Sequence, residues 1–134
     1  MNTDSLFDDK LELNEEALRR VLNPIETAHG LPNACYANPT VFEIERRRVF
    51  AEGWACVGFV KDVPAAGGLY PFEFAGMPLL MVRRIDGAVG VFHNVCRHRG
   101  RKLVEASTNV KKAIVCPYHG WTYNLDGALI GTPH

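Results

Sequence analysis

Four side chains in two short phrases carry the chemistry of this sequence. Cys96 and His98 stand in VCRHRGRK (residues 95–102), and Cys116 and His119 in VCPYHGW (residues 115–121). Thiolate sulfur and imidazole nitrogen both bind zinc and iron, and each phrase sets one of each within three residues of the other. A glycine, Gly100 or Gly120, follows soon after each histidine, and each phrase falls where an expected strand ends. Cys96-x-His98, a gap of seventeen residues and Cys116-x-x-His119 therefore put two thiolates and two imidazoles on the tips of two adjacent loops. Such a set suits either tetrahedral zinc or an iron–sulfur cluster. Spacing alone leaves both open.

The elements that must hold these loops are short. Asn14 is the expected cap of a first helix, with Glu15 and Glu16 in its first turn, Arg19 and Arg20 near its end, and Asn23-Pro24 as its stop. Residues 1–12 read as a frayed polar start and residues 24–39 as an irregular connector. Thr40 to Glu43 has the capping-box pattern, so a second helix is expected there, with Phe42, Val49 and Phe50 on its apolar face and Gly53 as its stop. From Trp54 the pattern changes to strands: WACVGFV (residues 54–60), the alternating Tyr70, Phe72 and Phe74, LLMVR (79–83), AVGVF (88–92), KAIV (112–115) and WTY (121–123). Asp86-Gly87 and Asp126-Gly127 mark tight turns. Many short strands with frequent turns imply an all-β antiparallel sandwich, preceded by a two-helix arm. The division expected is an arm over residues 1–53 and a β domain over 54–134.

Bulk properties narrow the class. The chain has 134 residues, enough for one domain with a small appendage, and 47% hydrophobic content is that of a folded protein. Fifteen basic and fifteen acidic side chains cancel, so no global field points to nucleic acid or a membrane surface. No apolar run approaches the roughly 20 residues that span a bilayer, and no signal-peptide pattern opens the chain. A cytoplasmic location follows as the default, and there four cysteines argue for metal or reactive thiols over a disulfide scaffold.

The residues flanking the ligand phrases decide between the metals. YANPTVFEIERRRVFAEGW (36–54), GFVKDVP (58–64), NVCRHRG (94–100) and CPYHGWTYNLDG (116–127) form a series that resembles the N-terminal part of a Rieske non-haem iron oxygenase alpha subunit, the type of the aromatic-ring-hydroxylating dioxygenases. The resemblance implies a Rieske-type antiparallel β-sandwich with one [2Fe–2S] cluster held by its two loops. Cys96 and Cys116 would hold one iron, His98 and His119 the other. Neutral imidazoles in place of two thiolates raise the potential of such a centre. A zinc knot is the competing structural reading, but C-x-H is a poor zinc-knuckle spacing.

Departures place the chain within the wider family. Respiratory Rieske proteins usually carry a further cysteine in each loop, joined by a disulfide. Arg101 and Tyr118 stand there in this chain. Those proteins also tend to have a serine after the second His-Gly, where this chain has Trp121. A free-standing Rieske ferredoxin is the alternative, and residues 13–53 separate the two, because a ferredoxin normally begins near the first strand.

An oxygenase of this family also needs a mononuclear Fe(II), held by two histidines and a carboxylate in a C-terminal domain. The spare histidines His29, His93 and His134 form no such motif, so no catalytic residue is assigned and this stretch alone is expected to relay electrons without hydroxylating a substrate. A reductase or ferredoxin donor and a homotrimer of the full protein are the partners the resemblance implies. Arg97, Arg99, Arg101 and Lys102, with Lys111 and Lys112, would make the loop surface positive for a docking partner, or anchor the loop through nearby carbonyls. Trp54, Tyr70, Phe72, Phe74 and Cys56 read as core, Cys35 as a loop bystander, and Trp121 and Tyr123 as packing beside the second loop.

Overall fold

The computed structural model describes residues 15–133; the polar start over residues 1–12, the Asn14 cap and His134 lie outside the described residues. Two compact units part between Ala55 and Cys56.

In the first unit, α1 (Glu15–Val21) is fastened by i,i+4 pairs, Glu15–Arg19 and Glu16–Arg20, both at 2.6 Å. Acidic residues sit at its start and basic ones at its end, as the helix dipole favours. The connector is not wholly irregular: α2 (Ala34–Ala37) forms one turn within it. The next helix, α3 (Pro39–Glu45), is capped by Asn38, whose side chain accepts from the Thr40 N–H at 2.8 Å. The expected Thr40 capping box does not form, because Pro39 has a backbone set for the first helical position and moves the cap back two residues. Glu43 instead bonds Arg46 and Arg47 at 2.6 and 2.7 Å, which holds its carboxyl down at about 2.

The helix then widens into a π-turn over Arg46–Phe50, and the Gly53 N–H bonds the Val49 carbonyl at 2.9 Å. The expected apolar stripe is displaced. Phe42 and Val49 are 55% and 57% exposed, while Val41 is buried against Ala34, Cys35 and Ile44. α2 supplies that packing surface, and the extra residue per turn of the π-segment breaks the seven-residue spacing on which the stripe depends. Cys35 is thus a packing residue and not a loop bystander.

The second unit opens without a strand. WACVGFV runs irregularly into a 3-10 turn over Val60–Asp62, closed by the Phe59 N–H on Asp62 Oδ2 at 2.8 Å. Trp54 is fully exposed and Cys56 exposed, so neither is a core residue. A short continuous apolar run has no period to distinguish strand from coil. Arg83 fastens this segment down. Its guanidinium donates to the carbonyls of Val63 (2.9 Å), Val60 (3.0 Å) and Gly87 (2.7 Å).

The first sheet has the order β3-β2-β1-β4, from β1 (Gly68–Phe74), β2 (Met77–Arg83), β3 (Val89–His93) and β4 (Thr108–Asn109), all pairings antiparallel. Ala75 and Gly76, both with positive φ (49° and 76°), make the tight turn between β1 and β2. Asp86-Gly87 turns β2 into β3 as the sequence implies, with Asp86 Oδ1 accepting from the Ala88 N–H at 2.9 Å. β2 is buried on both faces, Leu80 and Val82 on one and Leu79 and Met81 on the other. Tyr70, Phe72 and Phe74 are half-buried and not core; the buried residues of β1 are Gly68 and Leu69.

The second sheet has the order β5-β6-β7, from β5 (Ala113–Val115), β6 (Thr122–Asn124) and β7 (Leu129–Gly131). Asp126-Gly127 turns β6 into β7, with Gly127 at φ 82°. Between the sheets lies one core: Leu69, Leu80 and Val82 from the first, Ile114 from the second, Leu125 from the turn after β6, and Val104 from the chain joining the sheets. The sandwich expected from the turn spacing is present.

Gly67 and Gly87 separate two uses of glycine. Both have positive φ, 80° and 85°, but a Cβ at Gly67 would lie 1.8 Å from the Val110 carbonyl oxygen, whereas at Gly87 it would meet nothing within 4 Å. Gly87→Ala is expected to cost about 1 kcal/mol, the left-handed penalty alone, and Gly67→Ala clearly more. Urea denaturation of the two variants measures the difference; equal losses would contradict the close approach.

Candidate metal centre

Each ligand phrase is closed by the same pair of main-chain hydrogen bonds. In the first loop the Cys96 N–H bonds the Arg101 carbonyl at 2.8 Å and the Gly100 N–H bonds the Cys96 carbonyl at 2.9 Å. In the second, the Cys116 N–H bonds the Trp121 carbonyl at 2.8 Å and the Gly120 N–H bonds the Cys116 carbonyl at 3.0 Å. The glycine is four residues after the cysteine in both, with φ 69° at Gly100 and 72° at Gly120. That left-handed backbone is what the position demands, and glycine adopts it without the steric cost that a Cβ brings. The two phrases are one motif with the histidine moved by a single place.

The loops bring all four expected ligands together. Cys96 and Cys116 are 1% and 3% exposed and pack with Tyr123, Trp121 and Leu103. His98 and His119 lie outside them, exposed, with ring centroids 4.8 Å apart. The His98 ring stacks on Trp121 at 4.8 Å and 10°, and Tyr118 lies against His119 at 3.8 Å. An aromatic ring therefore flanks each imidazole and fixes its plane.

Tyr123 is the residue that sequence reasoning undervalued. Its hydroxyl oxygen accepts from the Arg97 N–H at 3.0 Å and lies 3.3 Å from Cys96 Sγ. With the oxygen so engaged, its proton is free to point at sulfur. Burial pushes the Tyr123 hydroxyl up, and the Cys96 contact adds to it, so it remains a donor. For Cys96, burial pushes the thiol up, but bonds from Tyr123, the His98 N–H, Cys116 and the Arg99 N–H together bring it below its ordinary value. Desolvation, then the neighbouring His98 and Arg99, hold His119 below the usual imidazole range. Both shifts favour the metal-binding forms, thiolate and neutral imidazole. Only the structure reveals Tyr123, because it stands seven residues after Cys116 on β6 and no spacing rule ties it to Cys96.

Arg97, Arg99, Arg101 and Lys102 are exposed around the first loop. Arg101 pairs with Glu105 at 3.0 Å. Among the described residues none of their side chains bonds a carbonyl. His29 and His93 are exposed.

Among the described residues no three His, Cys, Asp or Glu side chains form the ligand set of a single ion. The arrangement is instead two like pairs, thiols inside and imidazoles outside. A centre with two irons and bridging sulfides asks for two pairs, one per iron, and in Rieske centres a cysteine pair holds one iron and a histidine pair the other. The donor set fits.

The Rieske [2Fe–2S] domain family matches residues 53–134, and the chain belongs to that family. Its relatives include oxygenase subunits. It is 38% identical over 126 residues to the glycine betaine monooxygenase oxygenase subunit of Chromohalobacter salexigens, covering 94% of this chain and 28% of that protein. It is 37% identical over 98 residues to the biphenyl dioxygenase subunit alpha of Paraburkholderia xenovorans, covering 73% of this chain and 21% of that one. Among solved structures, a quaternary ammonium Rieske monooxygenase superposes with a TM-score of 0.70 at 34% identity over 77% of this chain and 28% of its own. Naphthalene 1,2-dioxygenase from Rhodococcus sp. gives 0.79 at 28% identity over 96% of this chain and 28% of its own. The chain thus spans about a quarter of the length of the relatives it matches. No described helix is long and apolar enough to cross a membrane.

Tyr123→Phe removes one donor from the cysteine sulfur. A neutral hydrogen bond contributes about 1 kcal/mol, which for a one-electron couple is roughly 40 mV. Because electron density at sulfur is greater in the reduced centre, the bond favours reduction, and the variant is expected to show a potential lower by up to that amount. Protein-film voltammetry of the loaded domain measures it; an unchanged potential would deny the Tyr123 bond to sulfur.

Proposed function

We propose that this chain is the electron-relay part of a Rieske oxygenase alpha subunit, with residues 1–53 as its N-terminal helical arm and 54–134 as the cluster domain. Cys96 and Cys116 hold one iron of a [2Fe–2S] cluster and His98 and His119 the other. A cluster so held supplies single-electron transfer. The observation that carries the reading is the pairing within two identically closed loops: thiols buried at 1% and 3%, imidazoles 4.8 Å apart at the surface.

The chain's own residues divide the work. The two loop closures fix the cysteine backbones. Tyr123 holds a proton toward Cys96 Sγ, and Trp121 covers one face of His98. In the full protein the electron would come from a reductase or ferredoxin and pass to a mononuclear non-haem Fe(II) in a further domain, across subunits of a homotrimer in the cytoplasm. Support for an oxygenase over a free-standing ferredoxin is that the alignment with the glycine betaine enzyme covers 94% of this chain and so takes in most of the helical arm.

Anaerobic purification, iron and sulfide analysis, and EPR after dithionite reduction test the cluster. The expected result is about two irons and two sulfides per chain, with a rhombic signal of lower average g than an all-cysteine cluster. Stoichiometric zinc and EPR silence that survive reconstitution with iron and sulfide would return the site to a structural role.

Docking is tested separately. Arg97→Glu and Arg99→Glu should slow reduction by an acidic donor protein, most steeply at low salt, since exposed charges act through a screened field. A rate independent of both charge and salt would remove the arginines from the docking surface.

A further inference from the structure

The two ligand loops share their inner closure but differ one step further out. Behind the second loop the chain continues as a strand pair, with Val115 opposite Thr122, Ile114 opposite Tyr123 and Ala113 opposite Asn124. Behind the first loop no such ladder exists. β3 ends at His93, and residues 101–104 on the returning side belong to no strand. A loop carrying two ligands at its tip would be free to splay there.

Asn94 occupies the gap. It is the buried polar residue of the described core, 1% exposed. Its main-chain N–H donates to the Pro78 carbonyl at 2.8 Å, extending the β2–β3 ladder by one bond. Its side chain reaches across to the returning segment. Oδ1 accepts from the Leu103 N–H at 3.1 Å and the Val104 N–H at 3.0 Å, and Nδ2 donates to the Val104 carbonyl at 2.7 Å. The carboxamide thus donates and accepts as a peptide group of a neighbouring strand would.

We infer that Asn94 is the positioning residue of the first ligand loop, its side chain serving as the missing ladder rung that keeps Cys96 and His98 in register with Cys116 and His119. The inference rests on the proposed cluster for its consequence, but not for its geometry. The chemistry of the position is narrow. Aspartate matches the shape and can accept both N–H groups, but it cannot donate to the Val104 carbonyl and buries a charge against it. Serine offers a single, shorter-reaching oxygen in place of the two polar atoms that bond three groups. Glutamine has the right group one methylene too far out for a buried side chain already bonded at both ends. Leu103 and Val104 also pack in the core between the sheets, so the rung ties the ligand loop to the sandwich itself.

The test uses the loaded chain carrying Asn94→Asp and Asn94→Ser, with Met81→Ala, on the face of β2 turned away from Val104, as a buried-residue variant that weakens the fold without touching the loop. Iron release to a chelator is followed at a temperature where circular dichroism shows each variant folded. Both Asn94 variants are expected to release iron roughly tenfold faster than the parent, the lower end of what losing a support behind a ligand costs. Met81→Ala should release it at the parent rate, and the EPR g-values should shift only in the Asn94 variants. Release that merely follows global stability across all three would overturn the inference.

Amide hydrogen exchange supplies the reading that needs no cluster. In the parent chain the Leu103 and Val104 amides should be protected to the level of the β5–β6 ladder although they belong to no strand, and fast exchange there would overturn the rung whatever the variants do. In Asn94→Ser, amides of residues 96–104 should exchange faster while Cys116 and Gly120 stay unchanged; uniform change would equally overturn it. A parent that binds no iron would defeat the proposed cluster and leave these exchange results to decide on Asn94 alone.

Discussion

A cysteine N–H held by the carbonyl five residues on, with a left-handed glycine between them, is the constraint on which the site depends. It occurs twice, at Cys96–Arg101 and Cys116–Trp121, and it turns the chain so tightly that a thiol is buried while the histidine two or three places later faces outward. Inside and outside are thereby assigned within one turn. Main-chain bonds do this, so the side chains at the intervening positions are released for other tasks: Arg97 and Arg99 for surface charge, Tyr118 for cover over His119.

Everything else supports those two turns from behind. The second rests on a strand ladder, the first on the carboxamide of Asn94. Between them stands Tyr123, which belongs to the second sheet yet bonds the main chain and the sulfur of the first loop. Through it the two halves of the ligand set are in direct contact, and a change on β6 is felt at Cys96. Trp121 does the same for the imidazoles, lying in the second loop and stacking on the histidine of the first.

The parts legible in the sequence were those written locally. The two Cys/His loops that bring Cys96, His98, Cys116 and His119 together stand out by residue type and spacing, Asp86-Gly87 and Asp126-Gly127 by turn chemistry, and α1 by its charge pairs. What escaped was set by partners distant in the chain. Whether WACVGFV pairs as a strand depends on a neighbour it does not have, and Trp54 and Cys56 lost their expected burial with it. Val41 replaced Phe42 and Val49 as the buried residue because a one-turn helix over 34–37 arrived to pack against it. Asn94 and Tyr123 look ordinary in sequence, since a hydrogen bond across the fold leaves no spacing behind.

The placement of the loops also bears on the order in which the molecule can assemble. β1, β2 and β3 form a meander of neighbours in sequence, joined by tight turns, and such local pairings close quickly. The second sheet is equally local. Each sheet carries its own cysteine and histidine, so neither sheet has the complete proposed ligand set while it stands alone. The pairs meet only when the sheets close over Leu69, Leu80, Val82, Ile114 and Leu125. In the proposed reading, a cluster that requires both pairs at once would add its binding free energy at that last association step and would act as a latch on the closed sandwich.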